Sequence, residues 1–375
     1  MAYLFDESWR FAPGFRSPFI HNSDDEEARR LRDDLVAGYR GRALEEVFCG
    51  REMSCPSGTC YVVESEIPMS LDARNPDRAA SALLGDLTLV RGIGEATRRR
   101  LEERGCRTIA DLMGHPRYRR DAARLLDSIT GGDTRDLVAE IERRRRRSDP
   151  LLLEASRFHA PEEFVFLDIE TLGLFSRPII LIGLARVSGG SIAVRQYLSR
   201  SVEEEEAALA SILPDLEAEG TALVTFNGRA FDVPYIRDRL ARHGIPANLA
   251  VPHFDVLYFA RRRWKGTLAS CRLGALETGV LGLARADDVP SRMVPEFYET
   301  YRRTGSPGPL VPVVEHNRQD IVSLARLFAL LRGDDGGCAA PCRGRSEWDG
   351  GKENIEKDPR DIETILPLYR ALPEK

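Results

Sequence analysis

The stretch Phe164-Val165-Phe166-Leu167-Asp168-Ile169-Glu170 decides the reading of this chain. Four apolar, β-favouring residues in a row predict a strand, and Asp168 and Glu170 fall at its end. Strand side chains alternate, so residues two apart leave the same face. Two like charges on one face of a central strand repel and lose hydration unless a cation sits between them. Hard oxygen ligands at that spacing suit Mg²⁺ or Mn²⁺. For this pair alone a solvated strand end is the competing explanation.

Outward from this stretch, strands and helices alternate. PIILIGLARV (178–187) and SIAVRQYLS (191–199) predict two strands joined by a hairpin turn at Ser188-Gly189-Gly190. VEEEEAALASILPDLEAEG (202–220) predicts a helix with acids in its first turn, where the dipole favours them. ALVTFNG (222–228) predicts a strand, and FDVPYIRDRLARHG (231–244) a helix ending at glycine. The order β-β-β-α-β-α implies an α/β fold, a mixed sheet flanked by helices. Asp232 opens the second helix, a place where an acid also serves as an N-cap. Asp320 lies in the apolar helix VVEHNRQDIVSLARLFALL, with His316 one turn before it on the same face. An aspartate there needs a partner. Four acids and a histidine together suggest a two-metal site.

The remaining composition sets the frame. At 375 residues the chain has room for two or three domains, and 42% hydrophobic content supports substantial cores. No run approaches the length of a membrane span, and the N-terminus lacks the pattern of a secretory signal, so a cytoplasmic protein with no membrane role is expected. Seven cysteines include no CxxC pair, so free thiols are expected, with Cys60 buried in the strand TCYVVESEI. Four regions separate: residues 1–80 of unknown role, a basic helical module at 83–147, the alternating region at 160–333, and a flexible tail at 334–375 with a possible helix over 360–372. The last region is too rich in glycine and charge to pack a core.

Net charge is −5, yet of the basic residues 50 are arginine and four are lysine. A GC-rich genome accounts for that bias, and position is more informative. Residues 91–147 carry 16 arginines against 10 acids, a net +6 that leaves −11 for the rest. LTLVRGIGEATRRRLEERGCRTIADL, containing Gly92-Ile93-Gly94, resembles the helix-hairpin-helix motif, a sequence-independent DNA-binding element. Its glycines permit a tight turn, and the following helix N-terminus offers amides to a phosphate. Gly92, Gly94, Arg98, Arg99 and Arg100 are its expected nucleic-acid contacts. Ala96, Leu101, Ile109 and Leu112 are its expected small core. A purely structural or protein-binding hairpin is the alternative.

DIET (168–171), FNGRAFDVPYI (226–236) and EHNRQD (315–320) resemble the three exonuclease motifs of the DEDD superfamily, whose fold is ribonuclease-H-like. DVLYFARRRWKGTLASCRLGALETGVLG, then DDVP and HNRQDIVSLARL, narrow the likeness to the YprB-type ribonuclease-H-like domain family. The resemblance implies a metal-dependent 3′–5′ exonuclease acting on single-stranded nucleic acid or 3′ ends, DNA or RNA. It implies that Asp168 bridges two Mg²⁺ or Mn²⁺ ions, with Glu170 and Asp320 completing the site that activates water and Asp232 serving the second ion. His316 would orient or deprotonate that water. In this superfamily a catalytic histidine precedes the last aspartate by five positions. Here the separation is four, the spacing of the tyrosine subgroup, so Glu315 or Asn317 could share the task. Asn227 and Phe231 are candidate contacts to the terminal nucleotide, or simply turn and core. A non-catalytic binding protein that kept the fold and a structure-specific endonuclease are the alternative functions.

Overall fold

The computed structural model describes residues 23–131, 134–283, 285 and 289–333. The expected tail, with its helix over 360–372, lies outside the described residues. The chain begins with α1 (Ser23–Gly38) and α2 (Leu44–Val47), then a hairpin of β1 (Gly50–Cys55) and β2 (Gly58–Pro68). Helices α3 (Pro76–Leu84), α4 (Glu95–Glu103), α5 (Arg119–Gly131), α6 (Thr134–Arg144) and α7 (Pro150–Ala155) follow. The alternating region supplies β3 (Phe164–Thr171), β4 (Ile179–Ser188), β5 (Ser191–Leu198), α8 (Glu205–Glu217), β6 (Ala222–Thr225) and α9 (Asp232–Arg242). It continues with β7 (His253–Asp255), α10 (Val256–Trp264), α11 (Leu273–Leu276), α12 (Val294–Thr304) and α13 (Leu310–Arg332).

The β-β-β-α-β-α order read from the sequence is the observed order. Gly189 and Gly190 have φ of +60° and +86° between paired Ser188 and Ser191. That is a two-residue turn with both φ positive, the kind whose twist matches its strands. Among the described residues the strands form one mixed sheet ordered β1-β2-β5-β4-β3-β6-β7. β3, β6 and β7 are parallel, whereas β3, β4, β5, β2 and β1 pair antiparallel. The N-terminal region therefore builds one edge of the sheet: β2 pairs with β5 from Tyr61 opposite Leu198 to Pro68 opposite Ser191. Cys60 is buried in β2, as its apolar neighbours predict.

Alternation along β3 divides the core. Val165, Leu167 and Ile169 pack with residues of α8 and α9, while Phe164 and Phe166 pack beneath α13. Phe328 of α13 sits 5.1 Å from the Phe164 ring, 6.0 Å from Phe166 and 6.1 Å from Phe254 of β7. Burying an aromatic ring of this kind contributes about 1.5–3 kcal/mol, enough to fix α13 across the strands. The basic helices share this core, since Leu83, Leu101, Ile109 and Ile141 belong to the same buried cluster as Phe164 and Phe328. Leu101, Ile109 and Leu112 are buried as expected, but Ala96 is exposed on the first turn of α4. Ile93, inside the hairpin turn itself, is buried and joins this core. No helix among the described residues is long and apolar enough to cross a membrane.

Candidate functional site

β3 delivers its acids to the carboxyl end of the parallel strands, where α/β sheets place their ligand sites. Asp168 stands opposite Gly183 of β4, which stands opposite Gln196 of β5. Above this row lies α13. Its fully buried Asn317 donates from Nδ2 to Asp168 Oδ2 at 2.8 Å and to the Asp168 carbonyl at 3.3 Å. Gln196, also buried, donates from Nε2 to Asn317 Oδ1 at 2.8 Å and to the Val314 carbonyl at 2.7 Å. The chain Gln196→Asn317→Asp168 fixes both the amide and the carboxylate. Gly183 makes it possible, because a Cβ there would collide with Ile321 Cδ1 and Asn317 Oδ1. Gly183→Ala is expected to destabilise the protein by about 1–3 kcal/mol through overpacking, read in urea titration. An unchanged midpoint would mean that α13 moves aside freely.

The ladder slips at Glu170/Thr171, a bulge that redirects the strand just past the second acid. Glu170 is buried, and its carboxyl is pushed up to about 7 by loss of hydration, opposed by His316. Asp232 is the first residue of α9 and is buried, so it is not the solvated N-cap its position allows. Burial pushes it to about 7, against hydrogen bonds from its own N–H and that of Ile169. Asp168 is pushed well above the carboxylate range by burial first, then by Asp320, Asp232 and Glu170. Asp320 is raised by burial and held back by His316 and Arg285. The structure thus brings all four expected acids into mutual electrostatic reach. Hard oxygen donors that repel one another out of water are the donor set a divalent cation fits. As they stand, no three His, Cys, Asp or Glu side chains among the described residues are gathered closely enough to hold an ion.

The residue standing nearest to a cation's part is Arg285, which no motif marks out. Its guanidinium bonds Asp320, Glu277 and, from Nη1, the His316 Nδ1 at 3.0 Å. A guanidinium only donates, so His316 Nδ1 accepts and the ring proton lies on Nε2. That nitrogen faces Glu170 Oε1 at 3.9 Å and Asp320 Oδ2 at 3.6 Å. Of the other candidates for the general base, Glu315 is bound to Arg318, and Asn317 holds Asp168.

Two loops frame the acids. The β6–α9 loop is tied by Asp255, whose carboxylate accepts from the N–H groups of Asn227 (2.8 Å), Arg229 (3.2 Å) and Leu257 (3.2 Å). Asn227 takes φ +66° there with its side chain exposed, and Phe231 packs on Tyr235. After Glu170, Phe175 and Ser176 adopt φ of +62° and +54°, which side chains seldom take. Tyr235 Oη bonds Gly173 and Arg177, and Arg239 donates to the Ser176 carbonyl, over-determining this conformation. Leu174 and Phe175 remain exposed at 69% and 86%. A glycine in an apolar strand, as in PIILIGLARV, signals close backbone approach and marks Gly183 from sequence. Gln196 and Asp255 carry no comparable signal.

In the basic helices, Gly92 has φ +83° and Gly94 caps α4. Arg98 is held within the helix by Glu95 and Glu102, Arg99 lies 3.7 Å from Glu95, and Arg100 is exposed.

Residues 165–332 match a family model described as RNase_H superfamily. Over 168 residues the chain is 36% identical to YprB of Bacillus subtilis, an uncharacterized protein. That match covers 44% of this chain and spans 40% of the relative's length.

Proposed function

Taking residues 165–332 as a domain of the RNase_H superfamily, we propose that this chain is a metal-dependent 3′–5′ exonuclease hydrolysing phosphodiester bonds by two-ion chemistry. The observation that carries the reading is the clustering of Asp168, Glu170, Asp232 and Asp320, two of them buried and two half-buried, each with its carboxyl pushed upward. Such repulsion is costly without a cation to offset it. When bound, Mg²⁺ or Mn²⁺ would supply Lewis-acid stabilisation of the charge that develops on the phosphate.

The chain's own residues hold and orient. Asp168, kept in place by Asn317, would be shared between the two ions, with Glu170, Asp320 and Asp232 as the further carboxylates that would hold them. His316, with its proton on Nε2, orients the attacking water by donation and does not act as its base while Arg285 occupies Nδ1. Leu174 and Phe175 would offer an apolar platform to bases, with Phe231 and Asn227 on the β6–α9 loop as further contacts. The hairpin at Gly92 and Gly94 would receive backbone phosphate, Arg99 and Arg100 being better placed than the paired Arg98. The substrate is nucleic acid, as single strands or 3′ ends of DNA or RNA. A cytoplasmic setting accords with free thiols at Cys49, Cys55, Cys60, Cys106 and Cys271.

The ion pair of Arg285 with Asp320 is the feature that favours a binding-only protein instead. The two readings separate when 5′-labelled DNA and RNA, single- and double-stranded, are incubated with Mg²⁺, Mn²⁺ or EDTA. A ladder shortening from the 3′ end and absent in EDTA is expected. Tight binding with no metal-dependent cleavage of any substrate would overturn the exonuclease, and internal cuts would make it an endonuclease.

A further inference from the structure

Helix α10 presents Tyr258, Arg261 and Arg262 at intervals of three and four, one stripe of a helix, and Lys265 caps its C-terminal end. Val256, Leu257, Phe259 and Ala260 on the other side are buried. Arg261, Arg262 and Lys265 are exposed, and Tyr258 is half-buried. From another part of the chain Arg147 extends the stripe. Its guanidinium lies over the Tyr258 ring, 5.8 Å from the centroid, and its Nη1 donates to Tyr258 Oη at 3.3 Å. Arg146 is exposed beside it.

These cations are not neutralised locally. Among the described residues none of Arg146, Arg147, Arg261, Arg262 and Lys265 forms an ion pair. The acids whose charge Arg147 feels, Glu142 and Asp255, are engaged otherwise: Glu142 by Arg229, Asp255 by three backbone N–H groups. Arg143 and Arg144, by contrast, are both held by Glu140. The run Arg143–Arg147 thus splits, with Arg147 on the stripe and Arg146 exposed next to it in sequence.

We propose that this stripe is a track for the phosphate backbone of a single nucleic-acid strand on its way to the carboxylates, a proposal that rests on the nuclease reading. Arginine suits phosphate geometry, and a half-buried aromatic between cations offers a stacking face, the pairing that single-strand grooves use. At 1.5 Å per residue, Tyr258 to Lys265 spans about 10 Å, longer than the spacing of successive phosphates. Asp255 joins the track to the site. The carboxylate that caps α10 at Leu257 also holds Asn227 and Arg229, in the loop that ends at Asp232. The alternative for the three arginines Arg261–Arg263 is stabilisation of the helix C-terminus by its dipole, which would involve Arg263 as much as its neighbours.

That difference supplies the control. Binding of 5′-fluorescein oligothymidylate to the full chain, in EDTA so that no strand is consumed, is measured by anisotropy across a range of salt. Arg261→Gln/Arg262→Gln/Lys265→Gln is expected to weaken binding about tenfold or more and to flatten the log–log salt slope by about 2. Arg263→Gln is expected to stay within about twofold, and Arg261→Lys/Arg262→Lys within about threefold, since charge is kept. Equal losses for the triple variant and Arg263→Gln would overturn the track in favour of a dipole role. So would polyglutamate competing as well as the oligonucleotide, which marks a protein-docking face. If the triple variant loses binding but the wild type cleaves nothing, the track stands and the nuclease falls. If cleavage is seen and binding is unaffected, the reverse holds.

Discussion

Asp168→Asn is expected to lower metal-dependent hydrolysis by about 10³-fold or more while making the metal-free protein more stable. The first effect follows from the role proposed for Asp168, which feels the charges of Glu170, Asp232 and Asp320 alike. The second follows from the same place. Its carboxyl is raised by burial and by three neighbouring acids, so an amide there is spared the proton uptake or repulsion that an aspartate meets on folding. The amide oxygen still accepts from Asn317, and the fold loses no hydrogen bond. A gain of about 1–3 kcal/mol in EDTA is the order expected when a buried charge cluster is relieved. Steady-state rates on a labelled strand and thermal unfolding in EDTA measure the pair. A variant as active as the wild type would remove Asp168 from the chemistry, and one less stable in EDTA would mean that repulsion is not what this cluster stores.

The second large effect is on pH. Folding raises Glu170 from 4.5 to about 7 and Asp232 from 3.8 to about 7. A carboxyl raised on folding binds more protons in the native state. Its contribution is full below the unfolded value near 4 and is lost as pH rises through about 7. Each such group contributes a slope of about 1.4 kcal/mol per pH unit within that window. Metal-free protein should therefore lose stability from about pH 4 to 7. Saturating Mn²⁺ should restore it at neutral pH, by about 2.7 kcal/mol at a hundred times the dissociation constant. His159 and the half-buried His253 act oppositely below pH 6.5, since loss of hydration lowers both. The decisive quantity is therefore the difference between the wild type and Glu170→Gln. A difference independent of pH, or one that Mn²⁺ leaves unaltered, would contradict the assignment.

Much of the sheet was legible because local signals agreed with its topology. FVFL, the Ser188-Gly189-Gly190 turn and the amphipathic helix carrying Asp320 are each set by neighbours within a few residues. The likeness of the motifs then placed the acids together. What stayed hidden depends on contacts between distant residues. TCYVVESEI reads as a strand, but nothing within it names β5, more than a hundred residues on, as its partner. The basic helices read as a separate module because their own apolar positions suffice for a small core. That core instead continues into Phe164 and Phe328. Ala96 was placed inside by helical spacing, whereas Ile93 of the turn is what packs there. Arg285 reaches Asp320 only through the tertiary fold.

The same long-range pairing orders the events of synthesis. β2 emerges first, yet its ladder partner β5 ends at Leu198, and α13, with Asn317 and Asp320, comes later still. Asp168 and Glu170 lose hydration in the fold that α13 completes, and Asn317 of α13 holds Asp168. Loss of hydration, proton uptake and the Asn317 contact to Asp168 therefore coincide in one late step. Non-local pairing of this kind slows folding and leaves edges open while it waits. The four acids are thus assembled only when α13 closes over the sheet.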